Sequence, residues 1–296
     1  MNRPACEFVD APRLEPVAGA TEDRTIGRIL VDLGTLKQDD VGRIFALHRE
    51  KGLRFGEAAR RLRLVKDEDV QRALSVQFNY PYVNRKQAAL GPELVVAHDP
   101  FSAQAEAFRD VRTQLLLQWI GPEHKVLAIV SPGPREGRSY VAANLAVAFA
   151  QLGEQTLLID ADLRSPRQHR VFGLSGPLGI AHALTGRVGI DAAERVSYFD
   201  TLAVLSAGAA PPNPLELLSR PEFPRLVGEA RRHFTAIVID TPSGERGSDV
   251  KAVAARADGV LMVARKDRTR MAELESLRQS LANCGAPVIG AIVNAF

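Results

Sequence analysis

Phosphate chemistry is the first thing the residue spacing supports. The octapeptide Pro132-Gly133-Pro134-Arg135-Glu136-Gly137-Arg138-Ser139 stands between the apolar run VLAIVS and the helical run YVAANLAVAFAQLG. In a strand, loop and helix of this kind, successive backbone N–H groups and the helix N-terminus surround an anionic phosphate. Against the pattern GxxxxGK[ST], Pro132 replaces the first glycine and Arg138 replaces the lysine. The positive charge survives, although a planar guanidinium fork is not a neutral exchange for a compact ammonium. Gly133, Pro134, Arg135, Glu136, Gly137, Arg138 and Ser139, with the adjoining Tyr140, are therefore the expected nucleotide contacts.

Two later apolar runs end in carboxylates: TLLID leads into Asp160-Ala161-Asp162, and TAIVID into Asp240-Thr241-Pro242. In a parallel sheet all three aspartates sit at strand C-terminal ends, on the edge that carries the phosphate loop. Hard carboxylates beside phosphates suit Mg2+, with Ser139 supplying a hydroxyl and Asp240 or Asp160 acting directly or through water. Singly, each aspartate reads as readily as a cap or turn residue. The trio on one edge is what points to a site.

The elements that must position these groups follow from the rest of the chain. Its 296 residues are about twice the roughly 150 of one domain, which predicts two domains. Hydrophobic residues at 46% and charged residues at 25% are ordinary for a globular chain and exclude collagen-like, fibrous and wholly disordered classes. A net charge of +3 argues against a nucleic-acid partner or a chain-wide membrane trap. Cys6 and Cys284 form no disulfide framework or metal pattern, and no run approaches the roughly 18 apolar residues of a membrane span, so a cytoplasmic location is expected. The runs VLAIVS, QTLLID, LAVLSAG, FTAIVID, GVLMVAR and VIGAIVN alternate with helical segments. Several are apolar throughout, which predicts an α/β fold with a mostly parallel sheet between helices. Ahead of it, IGRILVDLGTLKQDDVGRIFALH and FGEAARRLRLVKDEDVQRALSVQ repeat one pattern and predict a pair of helical hairpins, with Gly34 at the first break. The expected layout is a flexible tail over 1–22, a helical tandem-repeat domain over 23–85, a linker over 86–102 and the nucleotide domain over 103–296.

From about Ala103 onward the chain resembles the bacterial tyrosine kinases of capsular and exopolysaccharide biosynthesis, the CpsD/CapB/Wzc-like domains. The resemblance rests on the modified phosphate loop, LLIDADLR at 157–164, IVIDTP at 237–242, PPNPLELL at 211–218, and Glu106-Ala-Phe-Arg109-Asp-Val-Arg112. It implies a P-loop nucleotide-binding fold, ATP and Mg2+, and protein-tyrosine phosphorylation that regulates polysaccharide chain length, polymerisation or export. Arg138 with Asp160 or Asp162 would then be catalytic, one of the two aspartates activating the acceptor hydroxyl. Glu106, Arg109 and Arg112 match an ExxRxxR motif of self-association; by spacing alone they share a helix face and read as a solvated charged surface. Asn294 resembles a position that reads adenine. The family further implies a membrane chain-length-determinant protein as activator, and so a peripheral place at the inner membrane. The family's tyrosine-rich C-terminal tail is not seen before Phe296, and Tyr80, Tyr82, Tyr140 and Tyr198 form no such cluster. Autophosphorylation at a tail is therefore not expected. A catalytically weak, nucleotide- or cyclic di-GMP-gated regulatory protein is the alternative, and a ParA/MinD-like ATPase a third.

The repeat over 23–85 resembles the N-terminal domain of MshE-like and type II secretion ATPases, which can bind cyclic di-GMP. Gly27 and Gly34 in the first copy and Arg54, Gly56 and Gln77 in the second match that motif, while Thr25, His48, Phe55 and Arg63 depart from it. A protein-docking module is the other reading. The combination of both halves resembles the EpsG subgroup of chain-length-determinant kinases.

Overall fold

In the computed structural model, residues 25–78, 83 and 89–295 are described. The expected tail, Cys6, Tyr80 and Tyr82 lie outside them. The chain divides into two compact units, Met1–Tyr80 and Pro81–Phe296.

The described residues of the first unit form four helices, α1 (Ile26–Asp32), α2 (Gln38–Lys51), α3 (Phe55–Arg61) and α4 (Asp67–Gln77). Each copy of the repeat folds as one helical hairpin. Gly34 takes φ +70° after α1, and Arg63 takes φ +56° at the matching position after α3. The second copy thus places a side chain where the left-handed conformation favours glycine. The N–H of Lys66 donates to Asp69 Oδ2 at 2.8 Å at the start of α4. Ile29, Leu30, Ile44, Ala58, Ala59 and Ala73 form the core between the hairpins.

The second unit opens with α5 (Val95–His98) and α6 (Ala103–Gln118), the latter capped by Ser102 Oγ, which accepts from Ala105 N at 3.2 Å. There follow β1 (Val126–Val130), α7 (Arg138–Gln151), β2 (Thr156–Asp160), α8 (Gln168–Val171), α9 (Ile180–Ala183), β3 (Glu194–Arg195) and β4 (Leu202–Leu205). The unit closes with α10 (Pro214–Ser219), α11 (Glu222–His233), β5 (Ala236–Asp240), α12 (Ser248–Ala254), β6 (Gly259–Arg265), α13 (Met271–Ala282) and β7 (Val288–Asn294). The sheet runs β3-β4-β2-β5-β1-β6-β7, parallel except for the short antiparallel pairing of β3 with β4. Leu127 and Ile129 of β1 face the core shared with α5–α7, whereas Ala128 and Val130 face that of α12 and α13. Both faces are covered, as the continuous apolar runs require. Each buried Leu or Ile contributes about 1.5–3 kcal/mol relative to exposure.

The segment read as a linker is different in its second half. Leu94, Val96 and Ala97 are fully buried in the core around α7. Asn144 of α7 ties them down: its Oδ1 accepts from Val96 N at 3.1 Å, and its Nδ2 donates to Glu93 O at 2.9 Å. His98 bridges the carbonyls of Val83 and Gly91, both at 3.1 Å. Short apolar pairs among Pro and Gly carry no periodicity, so only the distant partner on α7 makes this stretch part of the fold. No described helix is long and apolar enough to cross a membrane.

Candidate functional site

The phosphate loop leaves β1 at a buried Ser131 and enters α7 through Gly137, whose φ of +103° is open to glycine alone. The carboxylate of Glu136 is buried and accepts from Gly133 N at 2.7 Å, closing the turn from inside. Arg135 sits at the loop apex with φ +60°. The first amides of α7 have no helical acceptors and are free to meet an anion.

Arg138 lies under this loop. Its guanidinium donates to Ser131 Oγ at 2.5 Å, Gly133 O at 2.7 Å and Thr241 O at 3.0 Å, and stands 4.0 Å from Asp162 Oδ2. Three segments are thus joined by one rigid fork, a task for which a lysine has the wrong shape. Asn294, expected at the base, donates to Glu136 O at 3.3 Å and braces the loop from the end of β7. Tyr140 lines the cleft but also packs edge-on against Phe108, with ring centroids 5.6 Å apart, and burial raises its phenol pKa.

The register of β2 on β5 sets Asp160 directly beside Asp240. Asp160 accepts from the N–H groups of Arg167 at 3.0 Å, Gln168 at 2.9 Å and Asp162 at 3.3 Å. Burial, then the charge of Asp240, holds its pKa well above the usual carboxylate range. Asp240 accepts from Gln168 Nε2 at 2.7 Å and from the Ser139 hydroxyl. Burial pushes it up to about 6 against the pull of Arg138. Asp162 turns the following chain by accepting from Arg164 N and Ser165 N, at 3.3 and 3.0 Å, and reaches the cleft wall. That cleft, of about 660 Å3, is bordered by the loop and by the segments after β2, β5 and β6.

A magnesium-bound nucleoside triphosphate fits these residues. Asp240 Oδ1 and Gln168 Oε1 are buried oxygens with no hydrogen-bond partner, so two acceptors stand ready beside Ser139. Among the described residues no three His, Cys, Asp or Glu side chains group to hold a metal by themselves. A cation here would share its shell with phosphate and water, which is how Mg2+ is commonly bound.

Other expected residues are placed as follows. Glu106 and Arg109 pair with each other on α6 at 2.5 Å, while Arg112 turns inward and donates to Ala148 O at 3.0 Å, joining α6 to α7. In the first unit Arg54, Gly56 and Gln77 line one cavity of about 640 Å3 with Phe55, Leu74 and Phe78. Gly27 lies behind it, where an added Cβ would come within 2.9 Å of the Phe55 ring, and Gly34 belongs to the turn after α1. Sequence reasoning missed Gln168, which binds Asp240 and, at 3.1 Å, Ser139 O. It also missed Thr241 and Ser131 as partners of Arg138. Thr241 was visible as the neighbour of Asp240; Gln168, eight residues beyond Asp160, gave no signal.

No protein-family model matches the chain. The tyrosine-protein kinase YwqD of Bacillus subtilis is 35% identical over 201 residues, 68% of this chain and 85% of its own. The succinoglycan biosynthesis transport protein ExoP of Rhizobium meliloti is 34% identical over 203 residues, 68% of this chain and 26% of its own. Among solved structures, the kinase domain of the Escherichia coli tyrosine kinase ETK matches with a TM-score of 0.67 at 30% identity, over 72% of this chain and 84% of that one. The cell division ATPase MinD of Pyrococcus furiosus matches with a TM-score of 0.51 at 23% identity, over 57% and 71%, a likeness of fold alone.

Proposed function

The chain belongs to the bacterial tyrosine-protein kinase family, and from that premise we propose that its sheet-edge cleft transfers the terminal phosphoryl group of ATP to a tyrosine hydroxyl, in the control of exopolysaccharide chain length, polymerisation or export. The observation that carries this reading is the meeting of the phosphate loop, the Ser139 hydroxyl and the under-bonded Asp240 at one end of the sheet. Phosphoryl transfer asks mainly for positioning and charge neutralisation. The loop amides hold the phosphates. Arg138 keeps a permanent cation behind them and fixes the loop to Ser131 and Thr241. Ser139 and Asp240, with Asp160 behind them, would hold Mg2+, which would supply charge neutralisation on the transferred group. Asp162 lines the cleft 4.0 Å from the guanidinium of Arg138, so it is the group assigned to accept the proton of the acceptor hydroxyl. Asp160, with bonds from three N–H groups, holds the chain after β2 in place.

The activator is proposed to be a membrane chain-length-determinant protein, which would hold the kinase peripherally at the inner membrane. Self-association would use the α6 surface at Glu106 and Arg109, with Arg112 fixing that helix to α7. The first unit is proposed to bind cyclic di-GMP, because Arg54, Gly56 and Gln77, matched from separate stretches of sequence, line one cavity beside two aromatic rings. Assignment to the EpsG subgroup belongs to the same proposal.

The test is phosphotransfer from labelled ATP with Mg2+, using the full chain with its membrane activator and an Asp160→Asn/Asp162→Asn control. Phosphotyrosine that forms with the full chain and vanishes in the control supports the kinase. Tight nucleotide binding without phosphotyrosine or ADP would leave a nucleotide-gated regulator, and ADP without phosphotyrosine an ATPase.

A further inference from the structure

Seven of the sixteen residues lining the cleft are arginine, against two carboxylates, Asp162 and Glu245. That balance exceeds what the loop needs, so each arginine must be accounted for. Arg138 belongs to the loop. Arg164 is matched by Asp249 at 2.6 Å, and Arg167 by Glu93 at 3.3 Å. Arg265 donates to Arg135 O at 3.3 Å. Arg246, in the turn after β5, and Arg268, in the turn after β6, are exposed. Neither has a carboxylate within ion-pair distance among the described residues, and Arg135 at the loop apex is placed likewise. Cations gathered around one mouth repel one another unless an anion enters between them.

We infer that Arg246 and Arg268 select an acceptor whose tyrosine is flanked by acidic residues. The inference rests on the tyrosine-kinase reading and concerns the peptide around the acceptor hydroxyl. The inner end of the cleft already takes a polyanion, and the hydroxyl must approach Asp162 beside it. An acidic peptide is repelled by that polyanion unless the rim offsets it, and carboxylates at the rim form charge-assisted, fork-like pairs with guanidinium groups. A basic peptide is refused at the same rim, so the two turns set specificity without touching the reacting atoms.

The experiment measures binding and transfer separately. Fluorescently labelled peptides with a single tyrosine flanked by glutamates, or by lysines, are titrated with the full chain holding a non-hydrolysable ATP analogue and Mg2+. The acidic peptide is expected to bind at least about tenfold more tightly, with an advantage that shrinks as salt rises. Arg246→Glu/Arg268→Glu should remove that advantage while nucleotide affinity stays within about twofold, and Arg246→Gln/Arg268→Gln should reduce it in the same direction. Equal binding of the two peptides overturns the inference. So does a parallel loss of nucleotide affinity in both variants, which would assign the rim to the nucleotide. Acidic peptide that binds selectively but is never phosphorylated upholds the rim and overturns the kinase; phosphorylation indifferent to the flanking residues does the reverse.

Discussion

At the amino edge of the sheet, Asp258 accepts hydrogen bonds from the N–H groups of Lys125 and Val126, at 2.8 and 2.9 Å, and pairs with Arg231. Burial works to raise its pKa, but Arg231 and the two N–H groups outweigh it and hold the carboxyl below the usual range. At the carboxyl edge Asp240 sits beside another aspartate with one oxygen unbonded, and its pKa rises to about 6. Both are aspartates next to the same central strands. The difference lies in whether the fold completes their hydrogen bonding. A carboxylate that fastens strands is matched to a cation and to donors, whereas one that awaits a ligand is left under-matched, at a cost to stability.

The sharpest way to break this contrast is Asp240→Asn. Phosphotransfer is expected to fall at least about 100-fold, or about 2.7 kcal/mol of transition-state stabilisation. The nucleotide-free protein should nevertheless become more stable, by up to about 3 kcal/mol at neutral pH. A lower unfolding temperature for that variant would refute the claim that Asp240 is under-matched.

The pH dependence sharpens the same point, because the folded state keeps a proton on Asp240 that the unfolded chain releases near 3.8. Stability contributed by this group is full below that value, falls as pH rises, and levels off above about 6. The advantage of Asp240→Asn should therefore vanish near pH 4 and reach its maximum by pH 7 in calorimetric melts. Asp258 has the opposite sign: its contribution is present above its ordinary value of 3.8 and is lost as pH falls through its depressed pKa.

Asp258→Asn is expected to cost about 1–2 kcal/mol, because an amide that keeps its oxygen on the N–H groups of Lys125 and Val126 turns its NH2 towards Arg231 and loses that pair. Phosphotransfer per folded molecule should stay unchanged, a result read by combining denaturant melts with active-site titration. The smallest effect is expected at Glu275, which is depressed to about 2 by Arg278 and Gln279 on the exposed face of α13. Glu275→Gln should leave the melting temperature unmoved, since exposed pairs of this kind are screened by solvent.

The sheet was legible because its strands carry their signal locally. VLAIV, TLLID, AIVID and GVLMVA are buried on both faces and apolar throughout, and the aspartates that end two of them fall on one edge for that reason. What escaped the sequence depends on partners far along the chain. The two residues of β3 are too short to show a pattern. Leu94 and Val96 read as linker because Asn144, which holds their segment, lies some fifty residues on. At the site, residue types predicted the phosphate loop and its charge, but not the direction of Arg138. Its fork reaches Thr241, 103 positions away, and that pairing is written in the packing of β1 against β5. Gln168 is invisible for a like reason: its side-chain amide acquires meaning only when an aspartate and a helix carbonyl converge on it.

The bond from Asn294 to Glu136 spans 158 positions and joins the end of β7 to the middle of the phosphate loop. During synthesis the loop leaves the ribosome long before the strand that braces it. Until β7 adds itself to β6, the loop lacks one of its struts, and nucleotide affinity should rise when that strand joins.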